Sequence, residues 1–347
     1  MIFLFEKVGD LEKWKSNSES IVGKISAANI TTTEWNFTVG KASELFEKLS
    51  QMPTRLEGAA DRIFQGLVTG SDPVFILKCI GEEKYFSEST EKEYAFENDL
   101  MHPLCKGSVN IRRYHITELD KAILFPYKLL GGQAYLLVEQ EISSKYPIAW
   151  QYLKENRAKL EAREHGKWKH DKWYAFGRTQ NLNQMEQKKI LTPSIAKFAS
   201  YTLDVNDYFY FVGSGGGGGG GYGITLKTNE SMAYEYILGL LNSKLLDVYL
   251  KSYSSPFSGG FFAYNRQYIE KLPIRTINFS DSNEKATHDN IVSLVKRILS
   301  LNKQTPRTPQ EKEMLQREIE STDHAIDALI YNLYGLTDAE IKIVEGE

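Results

Sequence analysis

The sequence predicts an α+β fold: a mixed, mainly antiparallel β domain with inserted helices, followed by an antiparallel pair of helices at the C-terminus. Strand-like runs flanking glycine turns recur between residues 63 and 226. Residues 278–347 instead show apolar residues at helical spacing, with capping signals at the helix starts. A content of 41% hydrophobic and 25% charged residues is typical of a globular chain with a full core.

Bulk composition excludes several classes of protein. The 347 residues suffice for two or three domains, and the net charge of -3 does not by itself indicate a nucleic-acid partner, so a local basic patch would have to meet one. Cys79 and Cys105 lack metal-ligand spacing, which indicates core thiols in a reducing compartment. The apolar start at residues 1–5 is too short for a signal sequence or a membrane span. We therefore expect a cytoplasmic protein with no membrane partner.

Three parts are expected along the chain. Residues 1–54 are predicted to be an N-terminal approach segment or linker from a missing upstream domain, because so short a stretch buries little core alone. Residues 55–277 are predicted to form the main β domain, and residues 278–347 a helical spacer or docking domain. Inside the β domain we expect strands within 63–77, a helix over 91–104, a hairpin around Gly131 and Gly132, and a helix over 148–163.

Seven consecutive glycines, residues 215–221, lie between two strand-like runs. A flexible linker would have polar flanks, whereas aromatic and aliphatic residues bracket this run. A cofactor loop would open a helix, and a nucleoside-triphosphate loop would need Gly-Lys-Ser or Gly-Lys-Thr, which the chain lacks. We therefore expect a hairpin-like loop in which Gly217 and Gly219 present bare backbone to a ligand such as a phosphate.

Residues 154–197 depart from the acidic average of the chain. They carry eleven Lys or Arg against five Asp or Glu, a net charge of +6, and four aromatic residues lie among them: Trp168, Trp173, Tyr174 and Phe176. Such interleaving suits phosphate contacts with stacking or wedge contacts to bases. The alternative is a solvated helix face followed by aromatic core residues. His165 and His170 lie among positive charges, which favours surface histidines over metal ligands.

The C-terminal third is mainly helical. Residues 234–252 predict an amphipathic helix, and the Ser/Gly-rich loop 254–266 with its aromatic residues is a second candidate surface. Thr308 and Glu311 form a predicted capping box with Pro309 at the first helical position, and Thr337 and Glu340 repeat the box. A short turn between two apolar stripes predicts an antiparallel helix pair, which is a spacer or docking element.

The sequence can be compared with the motifs of two kinds of enzyme. An amino-group DNA methyltransferase needs adjacent prolines in its substrate motif, and the ten prolines here are never adjacent. A magnesium-dependent nuclease would use an Asp, a strand and Glu-x-Lys, which Asp72, Glu82 and Lys84 fit loosely. That nuclease stays open as an alternative function, and so does a protein-interaction module acting through the C-terminal helices.

Several segments in order over residues 55–345 resemble the TaqI-like C-terminal specificity domain, the target-recognition region of type IIG restriction-modification enzymes and adenine-specific DNA methyltransferases, related to type I specificity subunits. The segments that carry the resemblance are Ile63-Phe-Gln-Gly-Leu-Val-Thr-Gly-Ser-Asp-Pro-Val-Phe75, Phe125-Pro-Tyr127, Trp173-Tyr-Ala-Phe-Gly-Arg178, Tyr210-Phe-Val-Gly-Ser-Gly215 running to Tyr222-Gly-Ile224, Leu240-Leu-Asn-Ser-Lys-Leu-Leu246, Lys271-Leu-Pro-Ile274 and Ile326-Asp-Ala-Leu-Ile-Tyr-Asn-Leu-Tyr-Gly-Leu-Thr337.

The resemblance implies a module that reads a short sequence in double-stranded DNA and positions an adenine for a methyltransferase or nuclease domain or subunit. It implies no cofactor in this chain, and S-adenosylmethionine and Mg²⁺ in the parent enzyme. Basic side chains would contact phosphates, and Arg, Asn and Gln would read base edges. The expected DNA-binding residues are Lys169, Lys172, Arg178, Gln180, Asn181, Lys197, Gly217, Gly219, Tyr222, Asn265 and Arg266.

Overall fold

The computed structural model describes residues 42–206, 208–213, 219–227 and 232–346, together with the backbone of residues 2–8 and 20–26. The chain divides into two compact units, and each is built from separate segments. Unit 1 comprises Met1–Ala59, Asn229–Ala263 and Gln267–Glu347, and unit 2 comprises Ala60–Thr228 and Tyr264–Arg266. Neither unit coincides with a predicted domain. The predicted domain boundaries at residues 54 and 277 stay predictions.

The strands are short and belong mostly to unit 2. In chain order they are β1 (Ile2–Val8), β2 (Ser20–Ser26), β3 (Ala60–Gln65), β4 (Ile76–Gly81), β5 (Lys84–Ser87), β6 (Lys92–Tyr94), β7 (Met101–Cys105), β8 (Ile111–Arg112), β9 (His115–Ile116), β10 (Lys121–Leu124), β11 (Tyr127–Leu130), β12 (Gln133–Leu136), β13 (Lys189–Pro193), β14 (Ile195–Ala196), β15 (Thr202–Asp204), β16 (Tyr210–Phe211), β17 (Gly221–Leu226), β18 (Pro256–Phe257) and β19 (Phe261–Ala263).

The long helices belong to unit 1. In chain order the helices are α1 (Ala42–Ser50), α2 (Leu56–Ala59), α3 (Asp72–Phe75), α4 (Gly107–Asn110), α5 (Glu139–Lys145), α6 (Pro147–Glu155), α7 (Arg157–Glu161), α8 (Arg163–Gly166), α9 (Tyr234–Asn242), α10 (Lys244–Tyr253), α11 (Arg266–Ile269), α12 (Ser282–Leu301), α13 (Pro309–Leu333) and α14 (Asp338–Glu345). In the described part of the chain, no helix is both long and apolar enough to cross a membrane.

Unit 2 contains two main sheets. One has six strands in the order β16-β7-β10-β4-β5-β6, and the other has four in the order β15-β13-β17-β3. Every pairing within these sheets is antiparallel except the parallel pair β16 and β7. An aromatic cluster fills the core, in which the rings of Phe75, Phe125 and Tyr210 meet those of their neighbours edge to face. The predicted α+β class with mainly antiparallel strands is therefore confirmed.

Some predictions for single elements of unit 2 agree with the structure, and others do not. The hairpin is present as β11 and β12, whose two-residue turn uses Gly131 and Gly132 at φ 57° and 76°, a conformation that favours glycine. The predicted helix over 91–104 was wrong: β6, a single 3₁₀ turn and β7 occupy it, and β7 pairs with β10 and β16 in the sheet. The predicted helix over 148–163 is divided into α6, α7 and the start of α8.

Unit 1 is organised around the terminal helices. Both predicted capping boxes are formed, with the hydroxyls of Thr308 and Thr337 accepting from the backbone N–H groups of Glu311 and Glu340. The predicted helix over 234–252 is divided at Ser243, whose side chain caps α10. A methyl group at Gly239 would touch Ile291 and Val295 of α12 and Ile326 of α13, so these parts of the two apolar stripes pack inside their own unit. In the first half of α13, Leu315 and Ile319 are only partly buried, and the docking role stays a prediction.

Candidate nucleic-acid interface

The described end of the glycine run, residues 219–221, is hydrogen-bonded to neighbouring backbone. The Gly219 carbonyl accepts from the N–H of Gly107 at 2.9 Å, and the Gly220 carbonyl accepts from the N–H of Ser194 at 2.8 Å. The N–H of Gly221 donates to Val212 at 2.9 Å, and β17 begins there. A strand instead of a helix follows the run, so these residues do not form the helix-opening loop that S-adenosylmethionine or a dinucleotide needs. Gly217 lies outside the described residues.

Close packing distinguishes the described glycines in and after the run. A methyl group at Gly220 would overlap the carbonyl oxygen of Gly213, and one at Gly223 would overlap the ring of Phe64. A methyl group at Gly219, in contrast, would meet nothing within 4 Å. None of these three has a positive φ. Among the described glycines of the run, only Gly219 therefore presents open space beside its backbone.

The segment Tyr264–Arg266 joins unit 2 beside the end of this loop. The N–H of Tyr264 donates to the carbonyl of Ser194 at 2.8 Å. The backbone N–H of Arg266 donates to the Tyr222 hydroxyl; burial raises the pKa of Tyr222, and the N–H and guanidinium of Arg266 oppose that rise. Arg266 is exposed, while the Oδ1 atom of Asn265 is buried with no hydrogen-bond partner among the described residues. The structure thus brings together four predicted residues: Gly219, Tyr222, Asn265 and Arg266.

A second group of predicted residues lies on the loop after Phe176. The backbone of this loop is held by the N–H of Arg178, which donates to the carbonyl of Val68 at 3.1 Å. Asn181 adopts a left-handed conformation, φ 63°, and its Nδ2 donates to the carbonyl of Gln65 at 3.0 Å. Part of the Asn181 amide is therefore engaged in holding the loop. The Arg178 side chain is 60% exposed and 3.4 Å from Glu164, and Gln180 is also exposed. Arg178 and Gln180 are therefore accessible to a ligand.

The aromatic residues of the basic segment point inward. Trp173, Tyr174 and Phe176 are buried in the aromatic core, and Trp168 lies beneath the guanidinium of Arg163 at 4.0 Å. The rings of Trp173, Tyr174 and Phe176 are therefore closed to stacking with bases, whereas Trp168 is only partly buried. Lys169 and Lys172 remain exposed. The segment therefore combines buried aromatic rings with exposed lysines.

Two basic residues of the same segment are structural. The guanidinium of Arg163 donates to the carbonyls of Thr69, Trp173 and Ala175 at 2.6–3.1 Å. Lys189 is fully buried, and its Nζ lies 2.6 Å from Oδ2 of Asp204. Burial lowers the pKa of both basic groups, to about 10 for Arg163. Neither can reach a phosphate without breaking core contacts.

An exposed pair follows β14. Lys197, a predicted phosphate contact, and Phe198 are both exposed, and the Phe198 side chain is exposed to 67%. Sequence reasoning did not single out Phe198, because a lone phenylalanine in a loop carries no periodic signal. It missed Ser194 as well, whose backbone holds both the Gly220 carbonyl and the Tyr264 N–H.

The predicted nuclease residues do not converge. Asp72 begins α3 and accepts from the Thr69 hydroxyl at 2.5 Å, whereas Glu82 and Lys84 are exposed at the β4–β5 turn. The six residues of β4 separate them by roughly 20 Å at the usual strand rise. Among the described residues, no group of three His, Cys, Asp or Glu side chains is placed to hold a metal ion.

Comparison with known proteins gives a coherent set of relatives. Residues 136–274 match the TaqI-like C-terminal specificity domain. The chain is 25% identical to the type II restriction enzyme and methyltransferase RM.Eco57I of Escherichia coli, over 99% of this chain and 36% of that protein. It is 29% identical to the type II methyltransferase M.HindII of Haemophilus influenzae, over 37% of this chain and 24% of that protein. The chain thus spans about a third of the length of RM.Eco57I.

A solved structure supports the same fold. The type IIL restriction-modification enzyme MmeI, determined in complex with DNA, superimposes with a TM-score of 0.53 at 12% identity, covering 85% of this chain and 36% of that one. At this identity the likeness concerns the fold. The resemblance predicted from sequence is confirmed: residues 136–274 carry a match to the TaqI-like C-terminal specificity domain, and the relatives of the chain are type II restriction-modification enzymes and methyltransferases.

Proposed function

We propose that this chain is the sequence-specific, double-stranded DNA recognition module of a restriction-modification system. The match of residues 136–274 to a specificity domain is the observation that carries the proposal. The relatives, which are restriction enzymes and methyltransferases, support it. The module would position an adenine for methylation, and DNA for cleavage, by catalytic domains outside these residues.

The surface of unit 2 supports this proposal chemically. Exposed Lys169, Lys172 and Lys197 would neutralise phosphates and set the register of the duplex. Arg178 and Arg266 are the exposed arginines suited to a bidentate contact with guanine, and Gln180 is suited to adenine. Their loops are held to neighbouring backbone by hydrogen bonds, and a fixed loop loses less conformational entropy when it binds.

The remaining parts of the assembly are proposals as well. A methyltransferase or nuclease domain or subunit would supply S-adenosylmethionine and Mg²⁺, because the glycine run here lacks the following helix of a cofactor loop. The whole assembly would act in the cytoplasm, where genomic DNA is its substrate. This chain would then contribute target choice, and the partner would contribute chemistry.

Duplex binding by the purified chain tests the proposal. Selection from a randomised duplex pool should enrich one short sequence, and affinity for that sequence should fall steeply between about 50 and 200 mM salt. Substitution of Arg178 by Gln should cost about 1–3 kcal/mol in binding and relax the preference at one base pair. Lys145→Gln, a surface lysine paired with Glu141 outside the predicted site, is the matched control. Enrichment of no sequence, or affinity insensitive to salt, would remove the proposal.

A further inference from the structure

Two lysines lie opposite each other in the six-stranded sheet, and a third follows a neighbouring strand of the same sheet. Lys121 of β10 is the direct register partner of Lys78 of β4. On its other side β10 pairs with β7, with Ala122 opposite Pro103, so Lys121 faces the position of Leu104. Lys106 follows Leu104 by two residues, at the N-cap of α4, and the Lys121 ammonium is close enough to influence it. The three side chains are here called the lysine cluster.

The cluster is electrostatically unusual. Like charges directly opposite each other destabilise a sheet, and Lys78 and Lys121 are such a pair. In the described part of the chain, none of the three has an ion pair within 4.0 Å. Burial and the neighbouring Lys121 ammonium lower the pKa of Lys106, while the carboxylates of Asp72 and Glu88 oppose this effect. An anion bound between these ammonium groups would reduce their mutual repulsion.

The cluster lies next to the glycine loop. Lys106 immediately precedes Gly107, whose N–H holds the Gly219 carbonyl at 2.9 Å. A methyl group at Gly107 would overlap the Gly220 carbonyl, so the two backbones touch there. Lys106 thus lies next to the described end of the glycine run. None of its three lysines belongs to the basic segment 154–197.

We propose that Lys78, Lys106 and Lys121 form a phosphate-binding site that a backbone phosphate of the duplex occupies. This assignment rests on the proposed function for the source of the phosphate. Ammonium groups are compact, strongly hydrated donors, so they fix a phosphate by charge and leave base identity to other residues. The lysine cluster would set the position of the duplex relative to the glycine loop.

The test compares Lys78→Gln/Lys121→Gln with Lys84→Gln, a surface lysine at the β4–β5 turn without a lysine opposite it. With duplex, the salt slope of the double variant should fall by about one, because one phosphate contact is lost, and the control should keep the slope of the parent chain. Without duplex, inorganic phosphate should raise the thermal midpoint of the parent chain and the control more than that of the double variant.

The two measurements separate the possible outcomes. Equal behaviour of the double variant and the control in both measurements would overturn the site. A phosphate effect specific to the cluster with an unchanged DNA slope would overturn the duplex assignment and leave a site for free phosphate. If the parent chain bound no duplex, the proposed function would fail, and the phosphate measurement alone would decide whether the lysine cluster binds an anion.

Discussion

A methyl group added at Gly220 should destabilise unit 2 much more than one added at Gly219. At Gly220 the new carbon would overlap the Gly213 carbonyl oxygen and lie 3.0 Å from its carbonyl carbon and 3.2 Å from Oγ of Ser194. Overpacking of this kind costs about 1–3 kcal/mol. Displacing the backbone would also weaken the 2.8 Å hydrogen bond from Ser194, worth about 1 kcal/mol. We expect a loss of roughly 2–4 kcal/mol for Gly220→Ala.

Gly219→Ala is the matched control, one residue away in the same loop. Its methyl group would enter open space at a φ that other residues adopt, so we expect no loss, or a gain of about 0.4–1 kcal/mol from a less flexible unfolded chain. Urea unfolding followed by tryptophan fluorescence suits the measurement, because Trp150 and Trp173 lie in the core of unit 2. Similar unfolding midpoints for the two variants would refute the close-packing account of these glycines.

Two further predictions concern buried ionisable groups. His102 stacks on Tyr210 at 4.1 Å, and burial lowers its pKa from 6.5 to about 4. As the pH falls, the His102 imidazole is therefore protonated in the unfolded chain before it is protonated in the folded chain. The free energy of unfolding should fall by about 3 kcal/mol between pH 6.5 and 4. His102→Gln should lose less over that range in urea titrations at several pH values; an identical loss would contradict this assignment. Lys189→Met should cost about 3–5 kcal/mol by leaving Asp204 buried and unpaired, whereas Lys145→Met on the surface should cost less than about 1 kcal/mol. Equal costs in thermal unfolding would show that the Lys189–Asp204 pair is unimportant.

Elements with a local signal could be predicted from the sequence. A capping box needs Thr308 and Glu311 within one turn, and a two-residue glycine turn encloses its own hairpin, so each is encoded within a few residues. The helix expected over 91–104 failed because a short apolar run does not distinguish a helix from a strand. Pairing with β10 and with the more distant β16 makes β7 a strand.

The candidate site likewise contains some residues that the sequence identifies and others that only the structure places. Exposed cations such as Lys169 and Lys172 could be named from a run of charge, since lysine without a partner stays at the surface. The same pattern also included Lys189, which pairs with Asp204 in the core. Whether a basic residue faces solvent or a buried carboxylate depends on the strand opposite it, here β15 beside β13. Sequence spacing contains no information about that neighbour.

By itself the sequence determined the α+β class, the capped terminal helices and the resemblance to a specificity domain, because these depend on local patterns and on the order of motifs. Only the tertiary structure decided that the aromatic residues near 173–176 form core, that Gly220 is needed for close packing while Gly219 is not, and that Lys78 and Lys121 lie opposite each other in a sheet. Each of these depends on strand register and backbone approach between segments far apart in the chain, which residue types and spacing do not specify.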